Sequence, residues 1–394
     1  MIRKARHPQA AIALSAAIAL LSITCAPRAD AQGIPVRLST RSMAMGGATL
    51  LSGGPIETGY LNPGALGLTG GFHVYIPMFQ VTSNQDVIDM FNWVKDHQED
   101  FQDFDSVMSL PEKVSFATEV ANEFNNRWIN LLVDPMVGLQ MGKLSISAYS
   151  VTNALLQVYA DTNPLAPAAG VQIFPVSDLV LNAGLGLQFG PMLHAGVGVR
   201  YLQRNFTAAP IELNVTDFES TFEVFGQALS ESNETQTGFA VDAGATFTLT
   251  KALAVGGVIR GLIQSMEDAA GAPPINKDPV IGAGVRLKPL ELLMGIPTFI
   301  LKDLTVEADL MDITGSYDQD FMDRIVLGAE AKIHPILPIP VYLRAGYGLG
   351  KLSLGAGLHF LVLDLGAALV KRSVYTLEGF QDEDFYSLSI GIGW

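Results

Sequence analysis

The sequence is poor in the residues that build disulfides and catalytic or metal centres. Its 394 residues contain one cysteine, Cys25, which excludes an intrachain disulfide and a cysteine metal cluster. The six histidines are scattered, with no H-E-x-x-H motif and no pair at metal-ligand spacing. The G-x-S-x-G nucleophile elbow of serine hydrolases is also missing. We therefore expect no catalytic residues, no metal and no cofactor.

Positive charge is scarce as well. Lys and Arg number 24 against 39 Asp and Glu, which gives a formal net charge of −15. Nucleic acids bind to clustered Lys and Arg, because the phosphates carry the negative charge. The composition therefore predicts no nucleic acid among the partners. The glycine-rich run 346–351 lacks the Lys-Ser/Thr ending of a phosphate-binding loop.

The N-terminal residues predict export from the cytoplasm. Basic residues among the first six precede the apolar run 10–23, and an A-x-A cleavage motif follows at 29–31. We assign residues 1–31 to a signal peptide. A lipoprotein signal at Cys25 is the alternative, although the preceding Ser-Ile-Thr is a poor match to it.

Long apolar runs are missing from the rest of the chain. The mean hydropathy is +0.31, yet no run after residue 31 reaches the roughly 18 residues that a membrane-spanning helix needs. A closed β-barrel is the other structure that satisfies every backbone polar group inside a bilayer. An exported, apolar chain of this kind therefore predicts a barrel in the cell outer membrane.

What is present from Gly71 onward is a hydrophobic period of two. In the last segment, large apolar residues alternate with Ser and Gly: Tyr386, Leu388, Ile390, Ile392 and Trp394. The same pattern predicts an all-β fold, a 14-stranded antiparallel transmembrane β-barrel over 71–394. Its strands are expected near 71–81, 133–142, 144–158, 176–189, 192–206, 236–250, 252–264, 278–288, 303–313, 324–334, 340–348, 351–359, 361–371 and 384–394.

Connection lengths predict the orientation of this barrel, and its last strand and membrane setting predict its partners. Long and tight connections mostly alternate, as extracellular loops and periplasmic turns do in outer-membrane barrels. Both termini are then periplasmic. A last strand that ends on an aromatic, Trp394, is similar to the C-terminal signal read by the barrel-assembly machinery. The expected surroundings are outer-membrane lipid and lipopolysaccharide.

Residues 84–132 depart from the period of two. Apolar residues there fall on two helical stripes, and Ser109 to Glu112 resembles a capping box. This predicts a helical hairpin in the first extracellular loop. Its aromatic residues either line a ligand pocket or pack on the barrel mouth, and both interpretations stay open: Phe91, Phe101, Phe124 and Trp128.

The segment 42–66 reads SMAMGGATLLSGGPIETGYLNPGAL. Its Gly46-Gly47 and its Asn62-Pro63-Gly64 resemble the start of the FadL-type outer-membrane protein superfamily, although Gly64 and Ala65 stand in swapped order relative to that pattern. The acidic helical stretch around 87–103 is similar to the TraF-like branch, the conjugal-transfer outer-membrane proteins. The resemblance implies a 14-stranded barrel with an N-terminal hatch, residues 32–70, inside the lumen.

For the hatch, two interpretations stay open. The motif residues form a tight turn that packs in the lumen, since Gly allows positive φ and Pro fixes φ. Alternatively, the hatch shifts to open a path, with Gly46, Gly47, Asn62, Pro63 and Gly64 as its gating residues.

The period of two also assigns charged residues to the lumen, because a charge facing lipid is costly. We expect them to form ion pairs that fill a narrow lumen, or to select what passes. The expected set is Arg200, Asp242, Arg260, Arg286, Glu307, Asp309, Glu330, Arg344 and Asp364.

In characterised members of the superfamily, hydrophobic substrates enter from an outer pocket and leave through the barrel wall. The resemblance therefore implies passive transport of a small hydrophobic ligand. A structural component of a secretion or conjugation apparatus is the alternative. An apolar pocket between hairpin and hatch would favour transport, and a lumen filled from wall to wall would favour the structural role.

Overall fold

The computed structural model describes residues 36–97, 109–124, 128–161, 168–207, 211–214, 233–267, 277–292, 301–315, 321–334, 339–348, 350–376 and 379–393. The predicted signal peptide, the hairpin residue Phe101 and the terminal Trp394 lie outside these ranges. Backbone alone is described for two other hairpin residues, Phe91 and Trp128.

In the described ranges, fourteen strands follow one another. They are β1 (Phe72–Asn84), β2 in two pieces (Trp128–Val133 and Met136–Met141), β3 (Leu144–Asp161), β4 (Ala168–Phe189), β5 (Leu193–Thr207), β6 (Asn233–Thr248), β7 (Leu253–Met266), β8 (Val280–Leu287), β9 (Leu301–Leu310), β10 (Ile325–Ile333), β11 (Val341–Gly348), β12 (Lys351–Phe360), β13 (Leu363–Thr376) and β14 (Gly379–Gly393). A short extra strand, Ile211–Asn214, pairs with Gly170 to Ile173 in the first part of β4.

Each strand pairs antiparallel with its neighbour in sequence, and the ring closes between the first and the last. Val81 of β1 is opposite Leu388 of β14 on one side and opposite Val133 of β2 on the other. The predicted closed 14-stranded barrel is thereby confirmed. Closure removes the free sheet edges that would otherwise expose unpaired backbone groups.

The two faces of the wall differ as the period of two requires. On β5, Val197, Val199 and Tyr201 are exposed on the outside, whereas Arg200 and Leu202 are buried on the inside. The outer surface is therefore mostly large apolar side chains, and the inner surface carries most of the charged and small residues together with apolar ones such as Leu202. An ion pair between Lys371 and Asp384 interrupts the outer surface at 3.2 Å, in the long β13–β14 pair.

The wall is irregular where β1 meets β2. The register of β1 shifts between Tyr75 and Met78 toward both neighbours, at the position of Pro77. Next to this bulge, Asp134 and Pro135 divide β2 into its two pieces, opposite Phe79 and Gln80. Proline lacks the backbone N–H that the ladder needs, so Pro77 and Pro135 weaken the hydrogen bonding of this seam.

Two helices follow β1 at one end of the barrel. They are α3 (Gln85–Asp96) and α4 (Leu110–Phe124). The backbone N–H and the hydroxyl of Ser109 each donate to Glu112 at 2.7 Å. These bonds form the predicted capping interaction and lower the pKa of the Glu112 carboxyl. In the described ranges, no helix has the length and apolar character needed to cross a bilayer.

The described N-terminal residues 36–70, which we call the plug, contain two short helices, α1 (Thr40–Ala44) and α2 (Thr58–Leu61), and a 3-10 turn at Pro63–Gly67. Most of their side chains are buried. Because this one segment contacts strands all around a closed ring, it lies inside the barrel.

Candidate functional site

The plug follows the inner wall in the order of the strands. Its first half contacts β13 and β14 at Thr40, β12 at Ala44, β10 and β11 at Met45, and β8 and β9 at Leu50. Its second half crosses to β2 through β6, from Ile56 to Gly67. The interface between plug and wall is therefore continuous around the lumen, and it is our candidate functional site.

Glycines on both partners bring the two backbones close together. A Cβ on Gly46, whose φ is +65°, would lie 2.6 Å from the backbone nitrogen of Tyr347. A Cβ on Gly64 would lie 2.4 Å from the carbonyl carbon of Gly244. No side chain fits at these distances, so these glycines are required by close approach.

The motif residues of the predicted hatch lie in two places on this interface. Gly46 and Gly47, both with positive φ, follow α1 and face β10 and β11. Asn62 caps the 3-10 turn, with its Oδ1 accepting from the N–H of Gly64 at 3.0 Å, and Pro63 is the first residue of that turn. Packing accounts for all of these positions, and a gating role stays a prediction.

The predicted lumen charges form three kinds of contact. The first is a buried bidentate ion pair: Arg200 donates to Asp242 at 2.7 and 2.9 Å. A second pair of this type, Arg204 with Asp178 at 2.6 and 2.7 Å, was missed at the sequence level. The sequence did contain the information, because both residues lie at inward-facing positions of predicted strands.

The second kind of contact joins wall and plug through a carboxylate. Glu330 on β10 accepts from Arg41 of the plug at 2.8 and 2.9 Å and from Arg344 of β11 at 2.7 Å. Arg41 also donates to the carbonyl of Ser52, so it holds two parts of the plug together. Two guanidiniums on one carboxylate leave this cluster with a net positive charge.

The third kind of contact is made with the plug backbone. Arg286 donates to the carbonyl of Leu51 at 2.8 Å and Arg260 donates to that of Leu61 at 3.2 Å. Glu307 and Asp309 accept from backbone N–H groups of the plug, as described below. The predicted residue Asp364 is instead paired with His359 at 2.6 Å on the neighbouring strand.

Three plug residues of the site were not singled out by the sequence: Arg37, Arg41 and Glu57. Arg37 is buried and donates at 3.3 Å to the side chain of Gln80 and to the carbonyl of Asp134. Its Nη1 lies 3.9 Å from Glu57. Arg37 thus binds both edges of the irregular seam between β1 and β2.

An apolar cluster lies between the plug and the same part of the wall. Its buried members are Ile56, Tyr60, Leu61, Met136, Tyr149, Val180, Leu202, Ala240 and Met266, with Tyr75 and Met78 of the β1 bulge packed against them. The rings of Tyr60 and Tyr149 are 4.9 Å apart. We call this set the lumen apolar cluster. It joins the plug to the seam through nonpolar contacts.

Only some residues of the predicted loop pocket lie in the described part of the chain, and the pocket stays a prediction. Phe124 is buried with Phe116, Val120 and Ile129, and Trp93 of α3 stacks against Phe116. The aromatic residues that are described therefore pack against one another. A shallow concavity on α4 is lined by polar residues, Ser115, Thr118, Glu119, Asn122 and Glu123, and it is not the expected apolar pocket.

The closed wall, the apolar outer surface and the internal plug define the class: a plugged β-barrel of the kind that spans membranes. No protein-family model matches the sequence, and no curated protein matches it. Solved structures of similar size do match in three dimensions, and their coverage is nearly complete in both directions.

The toluene transporter TodX of Pseudomonas putida is 11% identical with a TM-score of 0.46, covering 92% of this chain and 98% of its own. The toluene transporter TbuX of Ralstonia pickettii is 13% identical with a TM-score of 0.46, covering 92% and 99%. A FadL homologue of Pseudomonas aeruginosa is 11% identical with a TM-score of 0.44, covering 90% and 98%. Because these TM-scores lie below 0.5, the class assignment rests on the barrel geometry itself. The TraF-like relationship stays a prediction.

Proposed function

We propose that this chain is an outer-membrane barrel through which small hydrophobic molecules pass without an energy source. The observation that carries the proposal is the position of the lumen apolar cluster. It lies inside the lumen and reaches the weakened seam between β1 and β2. A nonpolar surface that leads to a discontinuity in the wall suits a solute that partitions into lipid.

The proposed path requires the plug to move away from the seam. Arg37 donates to groups on both sides of it, to Gln80 on β1 and to the carbonyl of Asp134 on β2. Displacement of the plug would break these two bonds together, so Arg37 would act as a latch. The motif turn at Asn62 and Pro63 would move with the plug as the gating element.

The remaining partners belong to the same proposal. The exposed apolar side chains of the wall would contact outer-membrane lipid and lipopolysaccharide. The last strand, β14, would present the terminal aromatic residue to the barrel-assembly machinery. The helices α3 and α4 would form an extracellular hairpin that covers the entrance, with residues 32–70 as the hatch below it.

One observation favours the alternative, a structural component of an outer-membrane secretion or conjugation apparatus. The plug contacts the wall all around the lumen, and its glycines leave no room for side chains between the two backbones. A plug that never moves would serve to stiffen the barrel. The two functions therefore differ in whether the plug is displaced.

Uptake measurements distinguish transport from the structural role. Cells that lack the gene would be given a labelled aromatic hydrocarbon or a labelled fatty acid, with and without the restored gene. We expect the gene to restore uptake of at least one compound. Equal uptake of both compounds with and without the gene would contradict transport and support the structural role.

Engineered disulfides test plug movement in the same cells. The hydroxyls of Thr40 in the plug and Ser387 in β14 are 3.3 Å apart, so Thr40→Cys with Ser387→Cys would lock the plug to the wall. Thr82→Cys with Ser387→Cys is the matched control, because those hydroxyls are 2.9 Å apart within the wall. We expect oxidation to abolish uptake only in the plug-locked pair, with recovery after reduction. Unchanged uptake in the locked pair would contradict displacement at α1.

A further inference from the structure

Two buried acidic residues bind consecutive backbone groups of the plug. Glu307 and Asp309 lie two residues apart on the inner face of β9, with exposed fractions of 0% and 2%. Asp309 accepts from the N–H of Leu50 at 3.0 Å, and Glu307 accepts from the N–H of Leu51 at 2.6 Å. The two carboxyl groups therefore hold the plug backbone to β9 like a clamp.

Each acid uses only one of its oxygens in this clamp. The other two oxygens, Oε2 of Glu307 and Oδ1 of Asp309, are buried and accept no hydrogen bond from the described residues. The two carboxyl groups lie side by side, because they bind consecutive N–H groups of the plug from neighbouring inward positions of β9. Two ionised carboxylates can only repel, because neither has a donor. One proton would turn one of them into the donor that the other lacks.

The charged groups around the pair offset only part of a double negative charge. Arg286 of β8 is directly opposite Glu307 but is directed to the carbonyl of Leu51. Arg260 of β7 donates to Leu61, and Arg41 of the plug is bound to Glu330. Among the described residues, neither Glu307 nor Asp309 forms an ion pair. The surroundings therefore favour a pair with a single negative charge.

We propose that Glu307 and Asp309 share one proton and that this proton keeps the plug attached to β9 at Leu50–Leu51. In the singly protonated pair, the O–H of one carboxyl group donates to the other carboxylate, and both groups still accept from the backbone N–H groups of the plug. When the pH rises and the proton is lost, the two carboxylates repel each other and the clamp opens. The direction follows from the geometry: the plug is held while the pair keeps its proton and is loosened once a rise in pH removes it. The inference concerns the plug alone and does not depend on what passes through the barrel.

Hydrogen exchange of the purified full-length protein in detergent micelles measures this opening directly, because amides exchange when their local bonds break. The readout is the exchange rate of a peptide that contains Leu50 and Leu51, corrected for the chemical dependence of exchange on pH. Between neutral and alkaline pH we expect an excess acceleration of about tenfold or more, which corresponds to about one pKa unit of linkage. The α1 peptide within the plug is the internal reference.

Two variants test whether the acid pair causes the excess acceleration of exchange. Asp309→Asn supplies a permanent N–H donor to Glu307 and keeps an oxygen for Leu50, so it should abolish the excess acceleration. Asp303→Asn on the same strand is the control: Asp303 is half-exposed and paired with Lys288 at 2.9 Å, and the acceleration should persist. Equal acceleration in Asp309→Asn and in the wild type, or none in the wild type, would overturn the proposal.

Discussion

One of the tightest approaches of plug and wall gives a quantitative test of how firmly the plug is seated. A Cβ on Gly346 of β11 would lie 2.1 Å from the carbonyl carbon of Met45 and 2.2 Å from the nitrogen of Gly46. Ordinary contacts begin at 3.4 Å, and both clashing atoms belong to the backbone. Gly346→Ala therefore forces the plug to retreat by more than an ångström. Overpacking of this kind costs about 1–3 kcal/mol.

The consequence is an increased population of the displaced plug. A cost of about 1–3 kcal/mol corresponds to a factor of about 5–150, if the barrel itself is unchanged. The assay is the rate of thiol labelling at Ser42→Cys, since Ser42 is fully buried in α1. Intact barrel closure is checked by the heat-dependent shift in gel mobility.

Gly282→Ala is the matched control on the inner wall. Its new Cβ would lie 3.5 Å from Val258, an ordinary contact, so labelling at position 42 should stay at the wild-type rate. The reasoning would be refuted if Gly346→Ala labelled no faster than Gly282→Ala. It would also be refuted if Gly346→Ala prevented barrel closure, because the clash is with the plug and not with a neighbouring strand.

Two further predictions concern the wall. Arg200→Met should destabilise the barrel by about 3–5 kcal/mol in denaturant unfolding, because it leaves the buried Asp242 without its ion-pair partner. The double variant Arg200→Met with Asp242→Leu should recover most of this loss of stability. An equal loss in the single and the double variant would contradict the pairing. Leu354→Arg on the outer face should cost about 2–4 kcal/mol on refolding into bilayers, whereas Leu352→Arg near the strand end should cost about 0–1 kcal/mol. Equal costs at the two positions would argue against a membrane at the depth of Leu354.

Much of the barrel could be predicted because one local rule repeats in every strand. Side chains alternate between an apolar and a polar environment, so residues such as Val199 and Arg200 are assigned to opposite faces without knowledge of their neighbours. The same rule assigned Glu307 and Asp309 to the lumen. The capping interaction of Ser109 with Glu112 is equally local, since it spans a single helical turn.

The site could be predicted less well because its contacts join distant parts of the chain. Arg41 and Glu330 are 289 residues apart, and no periodic pattern indicates which plug residue will bind which wall residue. Arg37 was missed for the same reason: the irregular plug segment has no repeating face on which its position could be judged.

The amino-acid sequence alone determined the number of strands, their inward and outward faces and the kinds of residue inside the lumen. These features follow from backbone geometry and from the free energy of transfer, which act residue by residue. The tertiary structure decided the partners: Arg200 with Asp242, Arg41 with Glu330, and the paired acids of β9 with the plug backbone. Such pairings depend on how the closed ring and its plug bring remote residues within hydrogen-bonding distance, and that is a property of the assembled fold.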